Sequence, residues 1–271
     1  MKKGITVLSL FDGMSCGRIA LDRAGIKAKK YYASEIDKYA QIVSAANYPD
    51  IIRLGDVTKW REWNIEKPDI IIGGSPCQGF SFAGKQLNFN DERSKLFFTF
   101  ADILKHYKPE YFLLENVRMK KEHQKVISDC LGVEPVEINS ALVSAQNRKR
   151  LYWTNISGIT QPDDKGILLK DIIDYSDISS EPQTGRSAAS QRLGTDKSKA
   201  LLASMYKGRG NNGQTCVTTG DSWRKLTPLE CERLQTVPDN FTAHVSNSQR
   251  YKMLGNGWTV DVIAHIFRGL K

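Results

Sequence analysis

The hydrophobic pattern of the first half alternates between short apolar runs and helical segments. Ile5 to Leu10 is an apolar run closing on a glycine-containing turn, and Ile19 to Ala24 then has helical character. Lys30 to Ser34 reads as a second strand, followed by a helix through Tyr39 to Asn47. Asp69 to Ile72 is a third strand, ended by Gly73-Gly74-Ser75-Pro76. Leu96 to Tyr107 is strongly amphipathic, as a helix with one buried face must be. Tyr111 to Leu114 is a fourth strand, and Val136 to Ile138 and Arg150 to Thr154 are further strands, open to pairing as a hairpin. Strands alternating with helices predict an α/β fold with a mostly parallel sheet covered on both faces.

The pattern changes after Thr154. Residues 155 to 223 are richer in Ser, Thr, Gly and Asn and only weakly periodic. From 161 to 181, two Lys stand against six acids, and from 186 to 209 six basic residues stand against Asp196 alone. That is either a solvated loop region with patchy charge or an inserted module whose basic half faces phosphates. Regular order returns at Thr227-Pro228-Leu229-Glu230, where Thr can cap a helix, Pro suits its first position and Glu completes a capping box.

Length and composition narrow the class. The chain has 271 residues, 40% of them hydrophobic and 25% charged, enough to bury a core without disulfides or metal and unlike a disordered or fibrous chain. No apolar run approaches a membrane span. The Met1-Lys2-Lys3 start leads into what reads as a first strand rather than a signal peptide. Five widely spaced cysteines imply reduced thiols and a cytoplasmic protein, and no C-x-x-C or H-x-x-x-H pair suggests structural zinc. The net charge of +9, from 39 Lys and Arg against 30 Asp and Glu, points to a polyanionic partner, nucleic acid first, although a solubility charge would look the same.

Four constellations carry chemistry. The strand-to-helix turn Phe11-Asp12-Gly13-Met14-Ser15-Cys16-Gly17 lets backbone approach a ligand and aims amides at it. Its G-x-x-x-G spacing departs from the G-x-G-x-x-G of dinucleotide binders. Glu35, at the end of the second strand, can hold a ribose diol, and Asp56 can accept from an adenine amino group. A helix N-terminal acid is the plainer reading of Glu35. Cys77 follows a strand and a Gly-Gly-x-Pro turn, where open α/β sheets bind ligands. It is either a buried core thiol or, beside a positive dipole, a nucleophile. Glu115-Asn116 ends an apolar strand, where an acid and an amide need partners and the acid can donate a proton. Asn116 could equally be a helix cap. In Gln146-Asn147-Arg148-Lys149-Arg150, two alternate arginines suit a carboxylate, a phosphate or a base carbonyl, or form an exposed basic turn.

The order of these motifs resembles the cytosine-C5 DNA methyltransferase family. Phe11-Asp12-Gly13, Pro76-Cys77-Gln78, Glu115-Asn116-Val117 and Gln146 to Arg150 follow the family's sequence of motifs. So do Leu226 to Glu230 with Arg233-Leu234-Gln235, and Gly255-Asn256-Gly257. The resemblance covers residues 5 to 154 and 224 to 268. Three stretches depart from the usual bacterial pattern: Gly-Met-Ser-Cys-Gly in the first turn, Val143-Ser144-Ala145-Gln146, and Gly257-Trp258 after Asn256. These variants look more like the eukaryotic de novo branch and its phage relatives.

The resemblance implies a Rossmann-like S-adenosylmethionine-dependent catalytic domain over 1–154 and 224–271, with a small inserted target-recognition domain over 155–223. It implies Cys77 as the nucleophile at cytosine carbon 6, Glu115 as the N3 proton donor and Arg150 on O2. Arg148 would order the Cys and Glu, and Asn116 would hold the Cys77 loop. S-adenosyl-L-methionine would lie against Phe11, Asp12, Gly13, Met14 and Cys16, with Glu35 at the ribose, Asp56 at the adenine amino group, and Ile36 and Val57 also in contact with the cofactor. Gly74, Pro76, Leu96 and Asn256 would complete that pocket. Gln78 to Arg93 looks like a loop that closes over a flipped base, and Lys207 to Thr218 should read the major groove. The implied partner is double-stranded DNA, with a cognate restriction endonuclease as a further candidate and a monomer as the expected state. The rivals are a nicotinamide dehydrogenase, which gives Cys77 no role, and a tRNA cytosine-5 methyltransferase, whose Cys-Phe-Thr tripeptide is missing from this sequence. A third is an inactive DNA-binding regulator, which would be expected to have lost Cys77 or Glu115.

Overall fold

The computed structural model describes residues 4–75, 92–174, 190–191, 197–207, 215–219 and 222–270. The first elements are β1 (Ile5–Leu10), α1 (Cys16–Arg23), β2 (Ala28–Ser34), α2 (Lys38–Asn47), β3 (Ile52–Arg53) and β4 (Ile70–Gly74). Next come α3 (Glu92–Tyr107), β5 (Tyr111–Val117), α4 (Lys121–Leu131), β6 (Val136–Asn139), β7 (Gln146–Asn147) and β8 (Lys149–Thr154). The remainder are β9 (Ser190–Gln191), β10 (Ser198–Lys199), β11 (Cys216–Thr219), β12 (Ser222–Lys225), α5 (Pro228–Leu234), α6 (Asn247–Asn256) and α7 (Val260–Phe267).

The chain divides into two compact units, residues 1–138, 149–161 and 263–271, and residues 139–148 and 162–262. The second unit is therefore larger than the expected insert 155–223. It gains α5 and α6 because their side chains are spent on the insert. Glu230 on α5 accepts from the Asp174 amide at 3.0 Å. On α6, a Cβ at Gly255 would stand 2.2 Å from the Leu202 carbonyl carbon, so only glycine admits that approach.

The first unit is built on a seven-stranded sheet in the order β3-β2-β1-β4-β5-β8-β6. Its central strands read as continuous apolar runs because both faces are covered. Val7, Leu8, Ile71, Ile72, Leu113 and Leu114 are all buried. β1, β2, β4 and β5 pair in parallel, and β8 runs antiparallel to β5. Phe97, Phe100 and Ile103 on α3 pack with Leu8, Ile71 and Leu114 in one core cluster. α2 starts at Asp37, whose carboxylate accepts from the Tyr39 and Ala40 amides and so satisfies two helix-terminal donors. Among the described residues, no helix is long and apolar enough to cross a membrane.

In the second unit, β10 pairs in parallel with β7, while β11 lies between antiparallel β12 and parallel β9. The Thr227 capping box forms as expected. The Thr227 hydroxyl accepts from the Glu230 amide at 3.2 Å, and the Glu230 carboxylate accepts from the Thr227 amide at 2.8 Å.

Candidate active site

The direction of winding reverses between β1 and β4, the two central strands of the first unit. Ligands in open α/β sheets bind outside the carboxyl ends of the strands at such a reversal. Phe11 to Gly13 follow β1 there, Gly74 and Ser75 end β4, and Glu115 and Asn116 lie near the end of the neighbouring β5. Pro76 and Cys77, and Gln78 to Asp91 of the expected closing loop, lie outside the described residues. Glu92 and Arg93 already belong to α3.

The turn after β1 is left-handed at three alternate positions, Phe11 (φ 57°), Gly13 (φ 59°) and Ser15 (φ 67°). For Phe and Ser this backbone costs on the order of 1–2 kcal/mol per residue. A Cβ at Gly13 would meet nothing within 4 Å, so its glycine serves conformation and leaves open space outside the turn. The Phe11 ring packs on the core cluster together with Leu96. Met14, Cys16 and Val57 are buried side chains, whereas Ile36 is 74% exposed.

Glu35 closes the turn from the end of β2. Its Oε2 accepts from the Gly13 amide at 2.8 Å, and its Oε1 accepts from the Ile36 and Asp37 amides at 2.8 and 2.7 Å. A carboxylate offers about four acceptor positions, so these three bonds leave one on Oε2. Asp56 accepts from the Thr58 amide at 2.8 Å, which caps the 3-10 turn Val57–Glu62 and holds its carboxyl below the usual carboxylate range.

Asp12 is buried. Its carboxylate accepts from the Tyr31 hydroxyl at 2.8 Å and the Ser15 hydroxyl at 2.5 Å. Burial pushes its pKa from 3.8 up to about 6, against the opposing effect of those hydroxyls. Sequence reading missed Tyr31 and Ser15 as its partners. The available signal was the Tyr31-Tyr32 pair in the half of β2 that turns inward, since a buried phenol needs a hydrogen-bond partner.

On β5 the Glu115 carboxylate sits 3.0 Å from the Arg150 Nε on the paired strand β8, where Val117 is opposite Arg150. Asn116 is buried and donates through Nδ2 to the Ser75 hydroxyl at 3.1 Å, while its Oδ1 accepts from the Val117 amide. The amide therefore ties the end of β5 to the residue that enters Pro76-Cys77. It does not serve as a helix cap, because β5 continues through it.

Two predicted residues belong to the second unit. Arg148, 3% exposed, donates to the Leu201 carbonyl at 3.0 Å and to the Gly255 and Gly257 carbonyls at 3.1 and 3.0 Å. It closes the Gly255-Asn256-Gly257 segment onto the insert. Asn256 is exposed at the last position of α6.

Comparison with known proteins agrees with this arrangement. The model of C-5 cytosine-specific DNA methylases matches residues 5–158 and 149–271. The type II methyltransferase M1.ScrFI of Lactococcus lactis subsp. cremoris is 33% identical over 298 aligned positions, covering 95% of this chain and 75% of the relative. The type II methyltransferase M.HhaI of Haemophilus parahaemolyticus is 30% identical over 307 positions, covering 97% and 93%. In fold, the chain is similar to the Entamoeba histolytica methyltransferase EhMeth, with a TM-score of 0.81, 18% identity and 100% of both chains covered. It is also similar to a Spodoptera frugiperda DNMT2 variant, with a TM-score of 0.75, 20% identity and 98% and 99% coverage. The fold is that of a methyltransferase, and family and fold together imply S-adenosylmethionine as the methyl donor. With motifs, sheet order and family model in agreement over nearly the whole length, the chain belongs to the C-5 cytosine-specific DNA methylase family and is a methyltransferase enzyme.

Proposed function

We propose that this enzyme methylates carbon 5 of a cytosine flipped out of double-stranded DNA, through a covalent adduct of Cys77. The observation that carries the reading is the pairing of Glu115 with Arg150 beside the Asn116 tether to Ser75, two residues before Cys77. An acid and a fixed cation then meet at the sheet edge where Ser75 leads into Pro76-Cys77. The net charge of +9 suits a polyanionic substrate of either kind, and the family's description and the missing Cys-Phe-Thr tripeptide favour DNA over tRNA.

Carbon 5 of cytosine is a poor nucleophile, and the protein groups remedy this. The Cys77 thiolate adds to carbon 6 while Glu115 delivers a proton to N3, which places electron density on carbon 5. Arg150, held by Glu115, donates to O2 and keeps the ring oriented. Bound S-adenosylmethionine supplies the methyl group. A base then takes the carbon-5 proton, and the thiolate departs. Arg148 acts at a remove by fixing the Gly255 to Gly257 segment within the second unit.

The turn fits an adenosyl group. Glu35 keeps one acceptor position for a ribose hydroxyl, Phe11 and the exposed Ile36 offer apolar faces to the adenine, and the Asp56 carboxylate is the acceptor for its amino group. Asp12, Gly13, Met14, Cys16, Val57, Gly74 and Leu96 frame that pocket, with the buried Met14, Cys16 and Val57 contributing backbone or support rather than exposed side chains.

A duplex carrying 5-fluorocytosine tests the chemistry, because fluorine cannot leave as a cation and the cycle stops after methyl transfer. The expected result is a protein–DNA band that survives denaturing electrophoresis, requires S-adenosylmethionine and is absent in Cys77→Ser. Methylation of ordinary DNA without any such band would overturn the covalent role of Cys77. Labelling of tRNA but not of duplex DNA would overturn the substrate.

A further inference from the structure

We propose that Asp12 is a positioning residue for cofactor binding, its ionised carboxylate holding the left-handed turn that aims the Gly13 amide at Glu35. The inference rests on the reading that Glu35 holds the S-adenosyl ribose. Asp12 itself has no role in the transfer chemistry.

The turn alternates left-handed residues at 11, 13 and 15, and two of them are not glycine. Such a backbone persists only where its surroundings over-determine it. Asp12 lies between those positions and supplies that constraint. One carboxylate oxygen accepts from Ser15, the left-handed residue that opens α1, and the other accepts from Tyr31 on β2. The Ser15 hydroxyl also meets the Ser44 hydroxyl of α2 at 2.7 Å, and Arg53 of β3 donates to Ser44 at 3.2 Å. The turn is thereby tied to β2, α2 and β3 from behind.

Asp12, Gly13, Glu35, Ser44 and Arg53 all line one cavity of about 10 Å³ behind the turn. Asp12 and Glu35 thus grip the Gly13 peptide from neighbouring positions, Asp12 through the turn's shape and Glu35 through the amide itself. The groups facing Asp12 are Ser9 of β1, Ser15, Tyr31 and Glu35, with Cys16 beside Tyr31 and Arg53 reached through Ser44. Among these, only Glu35 acts on Asp12 as a full charge, and it opposes ionisation, as burial does.

An ionised Asp12 accepts both hydroxyls. A protonated one has given up an acceptor position and gained a donor, so it no longer holds Ser15 and Tyr31 in the same way. With its pKa pushed up to about 6, the holding form is lost in mildly acid solution. Cofactor affinity therefore depends on a proton whose site lies behind the ligand.

Calorimetric titration with S-adenosylhomocysteine between pH 5.5 and 7.5 tests this without turnover. Wild-type affinity should be on the order of fourfold weaker at pH 5.5 than at pH 7.5, as one proton with a pKa near 6 dictates. Asp12→Asn should bind with a nearly flat profile over that range. Tyr31→Phe removes a donor that favours the ionised form, so its midpoint should move to higher pH. A pH profile in Asp12→Asn like that of wild type overturns the proposal, as does an unmoved midpoint in Tyr31→Phe. The Tyr31→Phe profile decides alone if Asp12→Asn does not fold. Glu35→Ala at pH 7.5 probes the underlying reading: unchanged affinity there removes Glu35 from the ribose, whereas lost affinity with an unaltered Asp12→Asn profile refutes only the role of Asp12.

Discussion

The two units bury their carboxylates in opposite ways. In the second unit, Glu230 is fully buried and receives a bidentate Arg224 at 2.7 and 2.8 Å, together with the amides of Asp174 and Thr227. Glu232, on the same short helix, accepts from the Asn240 and Thr242 amides and from Arg250. Both acids meet a guanidinium and several further donors, which is how a buried charge becomes structural. In the first unit, Asp12 is buried against neutral hydroxyls, Glu35 spends itself on amides, and Glu115 lies 3.0 Å from the Arg150 Nε. Acids clamped by a guanidinium and several amides hold the fold of the second unit, whereas these acids stand at the carboxyl ends of the strands, where open α/β sheets bind ligands.

The largest expected effect is on Glu115. Glu115→Gln keeps the shape and can still meet Arg150, but it cannot deliver a proton, so methyl transfer to duplex DNA should fall by about 10²–10⁴-fold. Because Gln can still accept from Arg150, its stability loss in urea unfolding should stay below that of Glu230→Ala. Activity near that of wild type would remove Glu115 from the reaction and dissolve the contrast between the units.

Glu230→Ala should do the reverse. It leaves the Arg224 guanidinium buried without its bidentate partner, a change that costs about 3–5 kcal/mol. Urea denaturation followed by circular dichroism measures this directly. A loss below about 1 kcal/mol would mean that the second unit does not depend on its matched acids.

Much of this was legible in the sequence, for reasons that differ by residue. β1 was readable to the residue because six consecutive positions sit inside a covered parallel sheet. The Thr227 box was readable because capping is local. β5 was expected to stop at Leu114 but continues to Val117, since Glu115 and Asn116 find Arg150 and Ser75 across the fold. α4 gave little signal because, within it, only Ile127 and Ser128 are buried. β3 is two residues long and has no pattern to read. The Phe11 to Gly13 and Glu115-Asn116 motifs lie at strand ends of the sheet, but the hydroxyls behind Asp12 and the carbonyls around Arg148 are long-range partners without a spacing rule. The same is true of the division between the units, which follows Arg148, Gly255 and Glu230 into contacts that only the folded chain makes.

The third effect is on stability against pH and sharpens the contrast from the side of the first unit. Asp12 ionises in the folded chain at about 6, against an ordinary value of 3.8. The folded state therefore binds more protons between those values, and stability from this residue is present below about pH 4 and lost as pH rises through about 6. Asp12→Asn removes that dependence. It should be more stable than wild type at pH 7.5 by up to about 3 kcal/mol, with the advantage disappearing at pH 4. Thermal unfolding of both proteins at the two pH values checks this, and an equal difference at both pH values would contradict the raised ionisation.

The smallest effect separates a cap from a charge partner within the second unit. The Thr227 hydroxyl satisfies the Glu230 amide, but Glu230 also has Arg224, the Thr227 amide and the Asp174 amide. Thr227→Ala removes only the hydroxyl acceptor and leaves the other bonds in place, so it should cost about 1 kcal/mol, an ordinary N-cap loss. A double-mutant cycle with Glu230→Gln shows whether the cap and the buried pair act as one unit. Coupling above about 0.5 kcal/mol, the limit for independent sites, would mean that the cap orients Glu230 toward Arg224. Additivity would mean that the guanidinium alone fixes the acid, and that the cap contributes only to the start of the helix. Either way the loss should remain well below that of Glu230→Ala. A Thr227→Ala protein destabilised as much as Glu230→Ala would show that the cap, rather than the matched charge, holds this part of the second unit together.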